Sequence, residues 1–385
     1  MRLRVPGGAL RPDALLALAA AAASYGDGRL GLTSRGNLQI RGIRPGTAGE
    51  IAAQVRASGL LPSASHERVR NIVASPLSGR LASSCAPIDA LAADLDVALC
   101  LRPALAHLPG RFLFAVDDGS GDVAGLGADV LLQALGGGLI SVFGLVVPEV
   151  NAVSAALAVA AAFLAERDAQ GSQVWRIAEL PDGAARVRAR CPDLGVPVAQ
   201  HHPAVTATVT ATVTAAVTAG PEPGLIEQSD GRLSVCALLP LGLITAVQIQ
   251  AIAAAAGLSS AEPAAALRLT PWRRIVLRDL ELAAALAARE LLAAHGLVVD
   301  GGTAWGRVTA CAGRPGCAKA LADVHADAAA FVAQAAADGT AVHLAGCERG
   351  CGTPVGPVAV AIATGRGYLV HGGVAAAERD WIGAR

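Results

Sequence analysis

Apolar residues recur at every second position in two short stretches that lie far apart in the chain. Leu38 and Ile40 form the first pair, and Ile275 and Leu277 form the second. This spacing is typical of a strand with one buried face. Each stretch follows an alanine-rich segment, the first of which opens at Pro12-Asp13, a helix start signal. The pattern therefore predicts a buried helix followed by a half-buried strand in each half of the chain.

The two halves resemble each other over these segments. The first opens "RVPGGALRPDALLALAAAA" and continues to "LGLTSRGNLQI"; the second opens "ALLPLGLITAVQIQAIAAAA" and continues to "ALRLTPWRRIVL". Thr33 and Thr270 stand at matching places, as do Ile40 and Leu277. We interpret the two segments as a diverged repeat, which predicts a pseudo-twofold arrangement with a ligand near the repeat junction.

A repetitive stretch, "VTATVTATVTAAVTAG", separates the halves at residues 205–220. Its strict alternation is compatible with a strand that has one threonine face. The stretch is also uncharged and flanked by Pro203 and Pro221, which favours a low-complexity linker. We take the linker as the prediction.

Further elements follow from local signals. "RFLFAVDDGSGD" predicts a strand that runs into a turn, so Asp117, Asp118 and Asp122 are turn residues rather than metal ligands. The segment after Cys317 predicts a long helix that ends at Gly339. "TAVHLAGC" predicts a short strand, and "VAVAIATGRGYLV" predicts a closing hairpin.

Composition narrows the class of protein. The 385 residues are 53% apolar, and 31 basic side chains balance 31 acidic ones, so no overall charge attracts nucleic acid or an acidic membrane. "VNAVSAALAVAAAFLAERD" is short for a bilayer span and suits a buried helix. No membrane or nucleic-acid partner is expected, and we predict a cytoplasmic location.

Four of the eight cysteines are closely paired, as C-x5-C and then C-x3-C: Cys311, Cys317, Cys347 and Cys351. Structural zinc sites usually have shorter cysteine spacings, and a disulfide scaffold is uncommon in a chain this long. An iron–sulfur cluster is wider than one ion and suits the longer spacing. The nearby glycines would let backbone N–H groups approach the sulfur atoms. The predicted helix after Cys317 would direct its positive end at the cluster.

Together with other motifs, this spacing resembles the nitrite and sulfite reductases that contain sirohaem and a [4Fe–4S] cluster. "LTSRGNLQIRGI", "VRNIVASPLSG" and "LPGRF" are similar to that family's cofactor-binding elements. The resemblance implies an α+β fold of duplicated ferredoxin-like half-units and two pseudo-symmetric α/β lobes. It implies that the four cysteines bind the [4Fe–4S] cluster. The residues expected to bind the tetrapyrrole are Arg35, Arg70, Asn71 and Arg111, to which we add Arg41 from the motif that also contains Arg35.

Two residues differ from the pattern of the nitrite and sulfite reductases and change where positive charge lies in the expected site. Leu113 stands where the reductases carry a second basic residue, and Arg349 stands where they commonly carry asparagine. "ACAGRPGCAKALADVHADA" and "DDGSGDVAGLGADV" are similar instead to a branch of the family in which the tetrapyrrole is the substrate. That branch implies a monooxygenase that uses dioxygen, with sirohaem absent. The alternative is a sirohaem-dependent assimilatory sulfite or nitrite reductase.

A reaction with dioxygen requires a source of electrons and can also use a mononuclear non-haem iron. No two-histidine, one-carboxylate set is evident, and His325 and Asp327 are interpreted as helix-surface residues. The chain contains no glycine-rich dinucleotide fingerprint, so we expect an external donor, either a ferredoxin or an NAD(P)H-dependent reductase. No catalytic residue is assigned.

These features divide the chain into five predicted segments. They are a first half-unit at 1–62, a first lobe at 63–200, a linker at 201–224, a second half-unit at 225–294 and a cluster lobe at 295–385.

Overall fold

The computed structural model describes residues 1–191, 220–354, 358–372 and 380–381. Of the predicted linker, residues 201–219 lie outside the described residues. The described elements form four sheets, which follow one another along the chain except that the first sheet also contains one later strand. We refer to the four bodies as the first half-unit, the first lobe, the second half-unit and the second lobe.

The elements of each body follow in chain order. The first half-unit contains β1 (Arg2–Leu3), α1 (Pro12–Tyr25), β2 (Arg29–Leu32), β3 (Leu38–Ile40) and α2 (Ala48–Ala57). The first lobe contains β4 (Ile72–Ala74), α3 (Asp89–Cys100), β5 (Phe114–Asp117), β6 (Val130–Gly136), β7 (Leu139–Val142), β8 (Leu145–Pro148), α4 (Glu149–Ala169) and α5 (Gly183–Arg190). The second half-unit contains β9 (Gly224–Glu227), β10 (Leu233–Leu238), β11 (Leu243–Thr245), α6 (Ala246–Ala256), α7 (Pro263–Ala266), β12 (Leu267–Leu269), β13 (Arg274–Leu280) and α8 (Leu282–Ala294). The second lobe contains β14 (Val308–Ala310), α9 (Gly313–Gly316), α10 (Val324–Asp338), β15 (Val342–Ala345), β16 (Ala359–Ala363), β17 (Tyr368–His371) and β18 (Asp380–Trp381).

The two half-units repeat the same strand register. In the first, β2 and β3 pair Leu30 with Ile40; in the second, β12 and β13 pair Leu267 with Leu277. The turns also match, because Thr33 bonds the backbone of Asn37 and Thr270 bonds that of Arg274. The predicted repeat and its matched threonines are therefore confirmed at the level of single hydrogen bonds.

The half-units are interlocked rather than merely adjacent. Strand β11 of the second half-unit pairs with β2 of the first, and Ala9 of the first forms a bridge with Arg268 of the second. Helices α1 and α6 pack together, and one continuous apolar core draws residues from both half-units. Burial of this shared core stabilises the pair as one body.

The two lobes share one strand topology. The strand orders are β4-β5-β6-β7-β8 and β14-β15-β16-β17-β18. In each sheet the first three strands pair in parallel, and each of the last two strands pairs antiparallel with the strand before it. The predicted α+β fold of duplicated half-units and two pseudo-symmetric lobes is thus confirmed. The carboxyl ends of adjacent parallel strands meet at one edge of each sheet, which is where such folds place ligands.

Helix α4 is, among the described residues, the one helix long and apolar enough to span a membrane by length and composition. Most of it lies buried in the core of the first lobe, against residues such as Phe112, Phe114 and Leu132. Its alanines allow close packing on the sheet, as expected for a core helix.

Candidate functional site

The four paired cysteines line a single cavity at the carboxyl edge of the second lobe's sheet. Cys311 directly follows β14, and Cys347 follows β15 after one glycine, so the parallel register places both at the same edge. Cys317 and Cys351 come from the loops that continue these strands. The cavity has a volume of about 400 Å³ and is lined on its other side by residues of both half-units.

The backbone around Cys311 supports a thiolate. The N–H of Gly346 donates to the Cys311 sulfur at 3.1 Å, and the N–H of Gly313 donates to it at 3.4 Å. Gly346 also requires its lack of a side chain, since a Cβ there would come within 2.7 Å of Cβ of Ala320. Such N–H donors stabilise negative charge on sulfur and tune iron–sulfur clusters.

Four thiols are the ligand set that a [4Fe–4S] cluster requires. Within the described parts of the chain, no three histidine, cysteine or acidic side chains are grouped to hold a single metal ion. Four cysteines nevertheless surround one cavity, as ligands of a wider [4Fe–4S] cluster would. When bound, such a cluster supplies electrons one at a time.

The same cavity is strongly basic. Among the described residues that line it are four arginines and no acidic side chain: Arg2, Arg41, Arg273 and Arg349. Arg41 donates to Gln39 at 3.0 Å, and Arg349 comes from the loop between the last two cysteines. The cavity therefore suits an anionic ligand placed beside the cysteines.

Two expectations for this lobe were wrong. The helix predicted directly after Cys317 begins only at Val324, because Asp323 caps it by accepting from the N–H groups of His325 and Ala326. The helix does not start at the cysteine, although it ends before Gly339 as predicted. His325 is not a surface residue either: it lines the cavity, where burial and then Arg29 lower its pKa.

Lys319 and Arg314 flank the cysteines in sequence but do not line the cavity. Lys319 is exposed, and Arg314 donates to the carbonyl of Ala320 at 2.7 Å. Arg314 thus holds the cysteine loop in shape.

The arginines expected to bind a tetrapyrrole fall into two groups. Arg41 lines the cavity, and Arg35 lies on the neighbouring turn, where burial and then the charges of Arg176 and Arg111 lower its pKa. Arg111 is exposed and stacks over the Trp175 ring at 5.6 Å. These three guanidiniums have no carboxylate within ion-pair distance among the described residues.

Arg70 and Asn71 form the other group and are occupied by the protein. Arg70 is 3% exposed, and its donors bind both Asp96 oxygens, at 2.7 and 2.6 Å, and the Leu60 carbonyl. Asn71 accepts from Arg4 and donates to the Gly110 carbonyl at 2.8 Å. The structure therefore corrects their expected place: both join the first half-unit to the first lobe, and neither lines the cavity.

The first lobe has an equivalent edge, and there the cleft is filled. Leu77 packs on Cys236 and Val276, which correspond by strand register to Arg2 and Gln39 of the open cavity. Arg278, the counterpart of Arg41, is fully buried and pairs with Asp89 at 2.9 Å. One cleft of the pseudo-symmetric pair is thus closed by protein groups, and the other is open.

Three aspartates at and after the end of β5 lie at this closed edge: Asp117, Asp118 and Asp122. Asp117 accepts from the N–H groups of Gly119 and Gly121, each at 2.9 Å, as the predicted turn requires. Asp122 accepts from the Ser75 hydroxyl at 2.6 Å, and burial raises its pKa to about 7.

Three residues near the cysteines escaped the sequence analysis. Arg2 and Arg273 line the cavity, and His343 lies beneath it with Nδ1 2.8 Å from the Thr309 hydroxyl. Burial and then the charge of Arg273 lower the pKa of His343 to about 4, so its ring is neutral. The repeat alignment offered a signal for Arg273, because it stands where the first half-unit has Gly36.

Comparisons with known proteins agree with this architecture. Residues 1–58 and 226–295 match the family described as Nitrite/Sulfite reductase ferredoxin-like half domain. The solved structure of the Mycobacterium tuberculosis NirA protein superposes with a TM-score of 0.71, over 98% of this chain and 76% of that one, at 20% identity. The chain thus contains two segments similar to the half domains of the nitrite and sulfite reductases, and it shares the fold of the NirA protein.

Curated relatives differ in how much of this chain they match. A precorrin-3B synthase from Sinorhizobium sp is 29% identical over 390 residues, covering 97% of this chain and 79% of the relative. Ferredoxin–nitrite reductases from Synechococcus elongatus and Leptolyngbya laminosa are 36% and 31% identical, but over only 31% and 30% of this chain and 24% of each relative.

Proposed function

We propose that this protein is an oxidoreductase that catalyses the precorrin-3B synthase reaction of aerobic cobalamin biosynthesis. One atom of dioxygen hydroxylates precorrin-3A, and an acetate side chain closes to a γ-lactone. The other oxygen atom leaves as water, with two electrons and two protons from an external donor. The observation that carries the proposal is similarity to a precorrin-3B synthase over 97% of the chain.

The cavity supports a substrate of this kind. A second cavity, of about 600 Å³, shares the lining residues Arg2 and Gln39 with the cavity of the cysteines, so the two are neighbours. Together they offer room for a macrocycle, within the volumes that ligand sites typically have. The carboxylates of a precorrin complement the arginines, which bind such groups in bidentate fashion.

Leu113 argues against the reduction of sulfite or nitrite. It is 3% exposed and packs with Val73, Ala115 and Val123, so an apolar cluster occupies the place of a basic side chain. A small anion that is reduced by many electrons requires positive charge close to it. We infer that sirohaem is not a resident cofactor and that the tetrapyrrole enters as substrate.

We propose that the four cysteines bind a [4Fe–4S] cluster and that a ferredoxin or an NAD(P)H-dependent reductase supplies its electrons. Arg41 and Arg35 would orient the substrate, and the buried half-unit interface would exclude water from it. A cytoplasmic location is part of the same proposal.

The assay uses cluster-loaded protein, precorrin-3A, dioxygen and a chemical or enzymatic reductant. We expect a product heavier by one oxygen atom, and incorporation of label from ¹⁸O₂ identified by mass spectrometry. An optical spectrum of the purified protein should show the broad absorption of the cluster without sirohaem bands. Stoichiometric sirohaem bands together with sulfite or nitrite reduction would refute the proposal.

Paired substitutions of Arg35 and Arg70 separate binding from stability. Arg35→Ala should weaken tetrapyrrole binding by about tenfold or more with little change in stability, because its guanidinium has no ion-pair partner within the described parts of the chain. Arg70→Ala should instead destabilise the fold by about 3 kcal/mol, since it leaves Asp96 without its partner. Titration of binding by fluorescence and urea unfolding measure the two effects. The reverse pattern would contradict our placement of the two residues.

A further inference from the structure

Arg273 is a partly buried arginine whose charge is not neutralised by any of the described residues. Its Nη1 atom is inaccessible to solvent and has no hydrogen-bond partner within the described residues, and no described carboxylate acts on its charge. Burial alone lowers its pKa, with no acidic group opposing the shift. Removing a charged N–H group from water without a partner is costly, so the inaccessible Nη1 points to a partner that arrives from outside.

The side chain is held in position over the cavity. Arg273 lines the cavity of the cysteines, and its stem lies across Gly242, where an added Cβ would come within 2.9 Å of Arg273 Cδ. Its backbone has a φ of 58°, a region that side-chain-bearing residues rarely adopt. The matching turn of the first half-unit has glycine at this position, Gly36, with a φ of 65°. The turn therefore suits glycine, and the guanidinium must be explained by something other than folding.

The closed cleft shows what such arginines require. There Asp89, in the first turn of α3, neutralises Arg278 at 2.9 Å and Arg268 at 3.2 Å. In the open cavity the first turn of α10 presents His325 instead, and Arg41 holds the place of Arg278. The carboxylate that closes the first cleft thus has no counterpart among the described residues lining the second.

We propose that Arg273, together with Arg41, binds a carboxylate side chain of the substrate, in the role that Asp89 fills in the closed cleft. Arg273 would then select macrocycles that carry acidic side chains. This inference rests on the proposed function and specifies a substrate contact that the motif comparison does not include.

Binding of uroporphyrin III, a fluorescent macrocycle with a carboxylate on every side chain, tests the inference without turnover. Arg273→Gly should weaken binding by about tenfold to a hundredfold, the range for losing a charge-assisted hydrogen bond. Because glycine suits the φ of 58°, the thermal midpoint should stay within about 4 °C. Arg273→Lys should recover only part of the affinity, since an ammonium lacks the bidentate geometry. Arg289→Gln, which removes an exposed arginine paired with Asp300, is the matched control and should bind as the unaltered protein does.

The outcomes separate the inference from the proposed function. Unchanged uroporphyrin affinity in Arg273→Gly, or no binding by the unaltered protein, would overturn the role of Arg273. If that variant loses affinity while the unaltered protein forms no oxygenated product from precorrin-3A, the proposed function fails and the carboxylate site stands. If product forms equally in both proteins with equal KM, the function stands and the inference fails.

Discussion

Replacing Cys311 by serine should abolish binding of the iron–sulfur cluster that we propose, and with it the proposed activity. The cluster requires thiolate ligands, and Cys311 is the one whose sulfur receives two backbone N–H donors, from Gly313 and Gly346. A serine hydroxyl at this place would leave those donors without a soft anionic partner. Iron and acid-labile sulfide should fall to background, together with the visible absorption.

The matched control for this substitution is Cys85→Ser. Cys85 is a free, exposed cysteine of the first lobe, outside the cavity of the other four. Its replacement should leave iron content, absorption and activity unchanged. Full iron and sulfide in Cys311→Ser, with circular dichroism showing a folded protein, would mean that the cluster ligands have been assigned wrongly.

Replacing Asp89 by alanine should destabilise the protein by about 3–5 kcal/mol. The substitution removes the carboxylate that pairs with Arg278, whose side chain is fully buried, and with Arg268, whose side chain is 5% exposed. Breaking a buried ion pair from one side carries a cost of this size, because the remaining charge stays out of water. Urea unfolding of the purified proteins measures the loss.

The effect of Asp89 should depend on pH in a defined direction. Burial by itself raises the pKa of Asp89, but Arg268 and Arg278 together outweigh it and lower the pKa below its ordinary value. A lowered carboxyl pKa stabilises the fold above the unfolded pKa, and this contribution is lost as pH falls through the folded pKa. The difference between Asp89→Ala and the unaltered protein should therefore be full at neutral pH and shrink in strong acid.

Asp94→Ala is the matched control for Asp89, since it removes an exposed aspartate from the same helix. Its effect should stay within about 0.5 kcal/mol, as for most surface substitutions. Equal losses in the two variants would show that the Asp89–Arg278 pair does not hold the first lobe to the second half-unit.

The cysteine site and the repeat were the features most open to prediction from sequence. Ligand spacing is local information: "TAVHLAGC" predicted the strand before Cys347, and the structure adds a parallel strand that ends at Cys311, so both cysteines lie at one edge. The matched threonines were equally readable, because Thr33 and Thr270 each close a turn within five residues. The position of the helix after Cys317 was harder, since the capping signal of Asp323 competes with helix propensity across the whole segment.

The sequence motifs did not predict which arginines are available to a ligand. Arg70 belongs to a motif that resembles the family's, yet its N–H groups donate to Asp96, which is distant in sequence. Arg273 carries no such motif and remains unpaired at the cavity. A guanidinium is available to a ligand only if no carboxylate of the fold reaches it, and that depends on contacts between separate bodies.

"TACAGRPGCAKA" and "AGCERGCG" by themselves determined a four-thiol site on a duplicated scaffold, because spacing and strand order are written along the chain. The tertiary structure decided that one of two related clefts stays open. Packing of the first lobe brings Leu77 and Asp89 into the first cleft and neutralises its arginines, whereas the second lobe brings cysteines and His325. No acidic side chain among the described residues that line the open cleft balances its arginines. Whether charges on separate bodies balance one another depends on how the bodies pack, so the sequence alone does not show it.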